Sequence, residues 1–459
     1  MYNFNNKKIN KRLSGENLKG SFMTDIRKNK TEVIVVGGGP AGISAAITIA
    51  RQGHEVILIE RGNFSGSKNV FGGAIYANPT REIFPDFEKT APIERLTVAH
   101  NYAILTEDES TVISYRHKSH DENVSYSVIR GKFDRWMAEE AKKEGVILVE
   151  ETVVKELLVE NETVVGVKTE LEDYYSDIVI LADGVNSLLA KQIGFRDDIE
   201  PKDVALSVKE VIKLPAEVIN ERFNLTDEEG CIYEIFGGPM LGMLGLGFLY
   251  TNKNSISIGL GIGLDALCEK SLKPYEVLDK LKQHPTIAPL IKGGELLEYS
   301  AHLIPEGGYK KLPTLFGAGV MVAGDAAMMV NNMHWEGTNL AMISGKIAGE
   351  TALTALSRGD FSEKTLAKYQ ENLEKSFVMK DLKTYRNLMD EAHKRSESFM
   401  GYYMREVNGF FKMFTTVDSI PKRKKFRKFI TDFITKRKIT ELFKDAVSGA
   451  KLLWSILIK

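Results

Sequence analysis

Residues 31 to 60, TEVIVVGGGPAGISAAITIARQGHEVILIE, constrain this chain more than any other stretch. A β-branched run over residues 32–36 ends in the six residues from Gly37 to Gly42, which include Pro40 and Ala41. A small-residue helical pattern follows over residues 43–51. A second strand pattern, residues 55–59, closes on Glu60. This is a βαβ unit in which Gly37, Gly39 and Gly42 meet the spacing G-x-G-x-x-G. The three glycines serve a tight turn, close backbone approach to a pyrophosphate, and close helix–strand packing. The helix start offers free N–H groups to phosphate, and Glu60 stands where an acid accepts hydrogen bonds from an adenosine ribose. Strand, helix and acid agree, so the unit predicts dinucleotide binding. A plain tight βα turn is the bland alternative.

A chain of 459 residues has room for two or three domains around a large core. The net charge of −1 hides an asymmetry. Residues 1–30 carry eight Lys/Arg against two Asp/Glu, and residues 401–459 carry fourteen against five, which leaves an acidic body between two basic ends. Such ends suit an anionic membrane surface or an acidic partner, and no nucleic-acid partner is expected. The first arm also reads as a solubilising segment. The two cysteines, Cys231 and Cys268, form no metal-ligand spacing. An iron–sulfur cluster normally needs four thiolates, so no metal site is expected in this chain. So few cysteines fit a reducing compartment, with both thiols expected to be buried. There is no apolar run of membrane-spanning length and no signal-peptide pattern.

Further along, a glycine-containing loop over residues 62–73 ends in Gly72 and Gly73, where backbone could approach a flat cofactor. Residues 99–130 alternate in strand fashion. An amphipathic helix over residues 133–143 turns Phe133, Trp136, Met137 and Ala141 to the core. A strand then runs into Asp183 and Gly184, a turn where backbone can meet a cofactor. Residues 204–264 read as a separate antiparallel sheet inserted between two halves of the nucleotide domain. Its glycines (Gly237, Gly238, Gly242, Gly245, Gly247, Gly259, Gly261, Gly263) line a flat slot for an aromatic or isoprenoid ligand, or merely permit bulges and twist. A second apolar strand runs into Gly324 and Asp325, whose carboxylate can accept from a ribityl hydroxyl. Gly337, Thr338 and Asn339 open a helix whose amides can face the N1/C2=O edge of a flavin and favour its anionic reduced form. Ordinary helix capping is the alternative for Thr338 and Asn339. His334, just before them, is the one candidate catalytic residue, as a proton relay. A packed or exposed loop histidine is the commoner outcome.

These stretches, in this order, resemble the flavoprotein oxidoreductases that include p-hydroxybenzoate hydroxylase, geranylgeranyl reductases and electron-transfer-flavoprotein:quinone oxidoreductase. Residues 66–73, 208–211, 302–308 and 336–342 bring the chain nearest the FixC branch. The resemblance spans about residues 31–400 and implies an α/β fold: a Rossmann-like FAD-binding domain of the p-hydroxybenzoate-hydroxylase/glutathione-reductase type with an inserted antiparallel substrate sheet. The expected layout is a basic arm at 1–30, the FAD domain at 31–200 and 301–400, the substrate or quinone sheet at 201–300, and a basic amphipathic helical tail at 401–459. One FAD is implied, with Gly37, Gly39, Ala41 and Gly42 at the pyrophosphate and Glu60 and Arg61 at the ribose. It also implies that Arg130 faces the cofactor, that Val154 meets adenine through its backbone, that Asp183 and Gly184 form the D-G turn, and that Asp325 is the ribityl carboxylate.

The implied activity is transfer of electrons from a two-subunit electron-transfer flavoprotein (FixA/FixB-like) to a membrane quinone. A ferredoxin-like FixX-type subunit would carry the iron–sulfur cluster, and the assembly could bifurcate electrons. A cytoplasmic protein on the inner face of the membrane is expected. The tail from Pro421 mixes Lys/Arg with Phe, Leu and Trp, as an interfacial helix requires, although it could equally pack on a partner subunit. Competing readings are a geranylgeranyl-reductase-like enzyme, a non-enzymatic flavin-binding scaffold and a flavin monooxygenase.

Overall fold

The structure, a computed structural model, describes residues 30–68, 73–118 and 124–457. Gly72 and almost all of the basic arm at 1–30 lie outside the described residues. Two sheets organise the rest. The first has eight strands and is built on parallel pairing around Lys30–Val36. That strand pairs on one side with Val56–Ile59 and on the other with Asp173–Leu181. Ile147–Val149 extends the sheet beyond Val56–Ile59, and Val320–Val322 extends it beyond Asp173–Leu181. Val33, Ile34 and Val35 are fully buried, as in a parallel sheet covered on both faces. The chain therefore returns to this sheet after an excursion of more than a hundred residues, and Gly324 and Asp325 arrive beside the first glycine loop.

The second sheet has nine strands. Val204–Lys213, Ser255–Gly263, Gly245–Thr251 and Glu229–Gly237 form its centre, with Glu295–Pro305 on one edge. The assignment of residues 31–200 to the first domain needs correction here. Ala74–Tyr76, Ile93–Leu105, Ser110–Arg116 and Ser125–Val128 all belong to this second sheet. The sheet is also not purely antiparallel, because Glu229–Gly237 runs parallel to Ile93–Leu105. Two separate excursions from the nucleotide sheet build it, and a parallel neighbour is what joins two such segments entering from the same side.

Each sheet has its own core. One face of the second sheet packs Val208, Ile235, Leu249, Ile258 and Leu260 under the helix Pro274–Gln283, which adds Val277, Leu278 and Leu281. Strand alternation then sends Lys209, Glu234, Phe236, Phe248 and Tyr250 to the opposite face. The expected glycine slot is only partly formed. A Cβ on Gly247 would meet Ile235 and Leu281 in the core, one on Gly242 would strike the Glu397 carboxylate, and one on Gly259 would lie 2.4 Å from the Phe248 ring. Most of these glycines permit close packing and do not line one slot.

Three helices, Tyr403–Thr415, Lys422–Thr435 and Ile439–Leu457, end the chain. They are tied to the body through Asn408, whose Nδ2 donates to the Ile104 carbonyl at 3.1 Å, and through Arg395, which donates to Glu441 at 2.7 Å. Among the described residues no helix is long and apolar enough to cross a membrane.

Candidate active site

The helix Pro40–Ala50 starts from Gly39, with proline in its first turn and no side-chain cap. Gly37 adopts φ +105°, and a Cβ there would lie 2.2 Å from the Ala182 carbonyl oxygen. A Cβ on Gly42 would lie 1.9 Å from the Gly37 carbonyl oxygen, whereas one on Gly39 would meet nothing within 4 Å. Two glycines thus close the turn and the third leaves open space before uncapped amides, which is the form of a phosphate cradle. The Glu60 carboxylate sits at the loop's flank, accepting from the amides of Gly38 at 2.7 Å and Gly62 at 2.6 Å. Its backbone joins the next segment: Glu60 N–H donates to the Val149 carbonyl and Thr152 N–H donates to that of Glu60. Val154 begins the following strand, half-buried. Arg61 is exposed, and its charge reaches towards His302.

The second helix of the site, Thr338–Arg358, starts from Gly337, again without a side-chain cap. Its crossing with Pro40–Ala50 is closed by glycines that the sequence reading passed over. A Cβ on Gly345 would lie 2.0 Å from the Ala41 carbonyl oxygen, and one on Gly349 would lie 2.8 Å from that of Ala45. Their i, i+4 spacing was the available signal. This crossing brings two helix N-termini to one side of the first sheet. There Arg130 grips Asp134 with two donors, at 2.7 and 2.9 Å, and donates to the Thr338 hydroxyl at 3.1 Å. Asn339 donates to Glu336 at 3.1 Å, while its Oδ1 is buried and without a partner.

Two carboxyls stand at the strand ends of the nucleotide sheet. Burial pushes Asp183 up to about 6, against a 2.9 Å hydrogen bond from Ser187 and the nearby charge of Arg196. Gly184 beside it has φ +79° and open space. Burial likewise pushes Asp325 up to about 6, with Arg130 pulling the other way. Gly73 meets the second sheet, since a Cβ there would lie 2.5 Å from the Tyr250 ring.

His334 is exposed on the loop before the second helix, with Nε2 2.9 Å from the Tyr385 hydroxyl. Both thiols are free, but Cys268 is exposed on the short helix Leu264–Glu269, so the expectation of two buried thiols holds only for Cys231. Sequence reading gave no role to Lys209, His302 or Glu234, all on the second sheet. Burial lowers the pKa of Lys209, whose ammonium lies 3.5 Å from Glu298, and that of His302. The open space at Gly39, the two uncapped helix starts and the orphaned Asn339 Oδ1 fit an extended dinucleotide bearing a flavin.

Comparison with known proteins agrees. Residues 32–185 match a family model described as FAD dependent oxidoreductase, residues 205–304 one described as ETF-QO, ubiquinone-binding, and residues 388–454 one described as ETF-QO/FixC family C-terminal domain. Protein FixC of Bradyrhizobium diazoefficiens is 41% identical over 430 residues, covering 92% of this chain and 99% of the relative. Protein FixC of Azotobacter vinelandii is 43% identical over 423 residues, covering 90% and 97%. "Probable electron transfer flavoprotein-quinone oxidoreductase YdiS" of Escherichia coli K12 is 39% identical over 429 residues, covering 93% and 99%. In fold, the chain is similar to a geranylgeranyl bacteriochlorophyll reductase-like protein of Thermoplasma acidophilum, with a TM-score of 0.69 and 19% identity over 91% of this chain and 99% of that one. This chain belongs to the FixC/electron-transfer-flavoprotein:quinone oxidoreductase family and is an FAD-dependent oxidoreductase.

Proposed function

We propose that this protein accepts electrons from an electron-transfer flavoprotein and delivers them to a membrane quinone. One observation carries the reading. The second-sheet face that bears Glu234, Phe236, Phe248 and Tyr250 closes on the loop leading to Gly337, with the Phe236 and Trp335 rings 5.5 Å apart. That face belongs to the stretch that matches the ubiquinone-binding model. An aromatic wall opposite a flavin-facing helix start is a fitting place for a flat quinone ring.

In this reading Gly37, Gly39, Pro40, Ala41 and Gly42 hold the pyrophosphate, Glu60 and Arg61 the adenosine ribose, and Val154 the adenine. Asp183, Gly184, Gly324 and Asp325 meet the middle of the cofactor. Gly73, Arg130 and the amides of Gly337, Thr338 and Asn339 surround the ring end. Bound FAD supplies the redox chemistry, since it exchanges electrons singly or in pairs. The chain's own part is to fix that ring, keep water from it and handle protons. Arg130 holds Thr338 in place, and the positive helix end stabilises negative charge at the ring. His334, as a proton relay, would act through Tyr385.

Neither cysteine belongs to a ligand set, so the iron–sulfur cluster is assigned to a separate ferredoxin-like subunit, with FixA/FixB-like subunits delivering electrons. The complex sits on the cytoplasmic face of the membrane, held by the tail, and splits electron pairs between quinone and a low-potential acceptor. Co-expression with candidate subunits, then a flavin and iron count and a quinone-reduction assay, tests this. Quinone reduction driven by the electron-transfer flavoprotein is expected. Hydrogenation of geranylgeranyl lipid in its place would overturn the reading in favour of an isoprenoid reductase.

A further inference from the structure

Glu234 is a half-buried carboxyl that the cofactor cradle leaves unused. Its Oε2 is sealed from solvent and has no hydrogen-bond partner. On the strand Glu229–Gly237, Cys231 and Ile235 belong to the second core, so Glu234 and Phe236 take the other face. In register, Glu234 lies between Tyr102 on one neighbouring strand and Phe248 on the other. Phe236, two residues on, meets Trp335 of the loop that enters the Thr338 helix. The carboxyl is therefore set in the wall that faces the proposed ring site.

The titratable groups around Glu234 are Tyr102 and Tyr250 on the same sheet, Tyr76 on its far edge, and Glu336 from the loop, which faces Tyr76. Tyr102 is 38% exposed and lies against the Glu234 carboxyl, so this pair spans from water to a dry oxygen. A carboxylate oxygen sealed from water without a partner is costly. Burial accordingly pushes Glu234 up to about 7, with the Tyr102 phenol pulling the other way. A carboxyl in that range can both release and regain a proton at neutral pH.

We propose that Glu234 is the proton donor to a quinone bound against this wall, with Tyr102 connecting it to water. The proposal rests on the quinone-reductase reading. Conversion of a quinone to a quinol takes two electrons and two protons. The electron pair and one proton come from the reduced cofactor. The second O–H bond forms as Glu234 releases its proton to a quinone oxygen. Glu234 is left as a carboxylate and is reprotonated from water beside Tyr102.

The test uses the full chain loaded with FAD and reduced, then reoxidised by a short-tailed ubiquinone analogue or by ferricyanide, which takes up no proton. For Glu234→Gln the ratio of quinone rate to ferricyanide rate should fall about 100-fold near pH 6 and lose its dependence on pH. For Tyr102→Phe, at a half-exposed position, the same ratio should fall about threefold or more. Independently of turnover, subtracting the infrared titration of Glu234→Gln from that of the wild-type protein should leave one protonated carboxyl band that disappears near neutral pH; Glu306, Asp183 and Asp325, which burial also raises, cancel in the difference. A Glu234→Gln protein with the wild-type ratio and pH profile, or a difference spectrum with no such band, overturns the proposal. A wild-type protein that ferricyanide reoxidises and the quinone does not overturns the functional reading itself, and this proposal with it.

Discussion

The two carboxyls at the strand ends of the nucleotide sheet are buried at the expense of the chain's stability. Asp325 and Asp183 are both lifted to about 6 by burial. An acid raised above its unfolded value binds more protons folded than unfolded through the window from about pH 4 to about pH 6. Stability of the cofactor-free protein therefore falls as pH rises through that window and stays at the lower level above it, by up to about 3 kcal/mol per group. Asp325→Asn removes the charge and keeps the shape. At about pH 8 its cofactor-free form should melt about 1 °C higher than wild type, as ~1 kcal/mol allows in a chain of this length. Its FAD affinity, read by fluorescence titration, should drop about tenfold. Arg130 shows the opposite case. It is buried against Asp134, which is 0% exposed, so Arg130→Met removes the two-donor partner of a buried carboxylate and should cost about 3 kcal/mol in urea unfolding. Arg130→Lys keeps charge but not the planar fork and should fall between.

At the scale of elements, the site is made by two helices that must cross closely. The first was legible in the sequence, because Gly37, Gly39 and Gly42 have a spacing tied to a ligand. The crossing was not. Gly345 and Gly349 lie within an ordinary small-residue helix, and nothing local distinguishes a glycine that seats a neighbouring backbone from one that is merely tolerated. The structure puts Gly345 against the Ala41 carbonyl, a backbone group with no rotamer to yield. Gly345→Val should thus push the helix starts apart. We expect a loss of stability of about 1–3 kcal/mol, the range for overpacking, and purification largely without FAD. The measurements are urea unfolding and the flavin-to-protein absorbance ratio. A variant of normal flavin content would mean that the helix starts are held together elsewhere.

At the scale of the whole molecule, the tail leaves an apolar surface uncovered. Phe414 is 61% exposed, Phe443 68% and Trp454 67%, on the helices Tyr403–Thr415 and Ile439–Leu457 that flank the basic helix Lys422–Thr435. This is the composition of a helix lying in a membrane interface. Replacing Phe414, Phe443 and Trp454 together with Ser should cut partitioning onto anionic vesicles about tenfold or more in a sedimentation assay. High salt should weaken what remains, since the basic contribution is screened. Undiminished binding would assign that surface to a partner subunit.

Much of the nucleotide half could be read from the sequence alone. Its glycine loop, its acid and its two strand-end aspartates are local patterns, and each carries its chemistry within a few neighbouring residues. The second sheet could not be read in this way. Its strands come from two excursions, and the parallel pairing of Glu229–Gly237 with Ile93–Leu105 links segments more than a hundred residues apart. Strand alternation marks two faces on each segment, but only the assembled sheet says which face is core. That choice turns Val208 inward and sends Lys209 and Glu234 to the opposite face. Sequence fixes the cofactor because a phosphate cradle is a local object. The groups on the outer face of the second sheet were decided by tertiary pairing, because a carboxyl acquires its chemistry from what the fold packs around it.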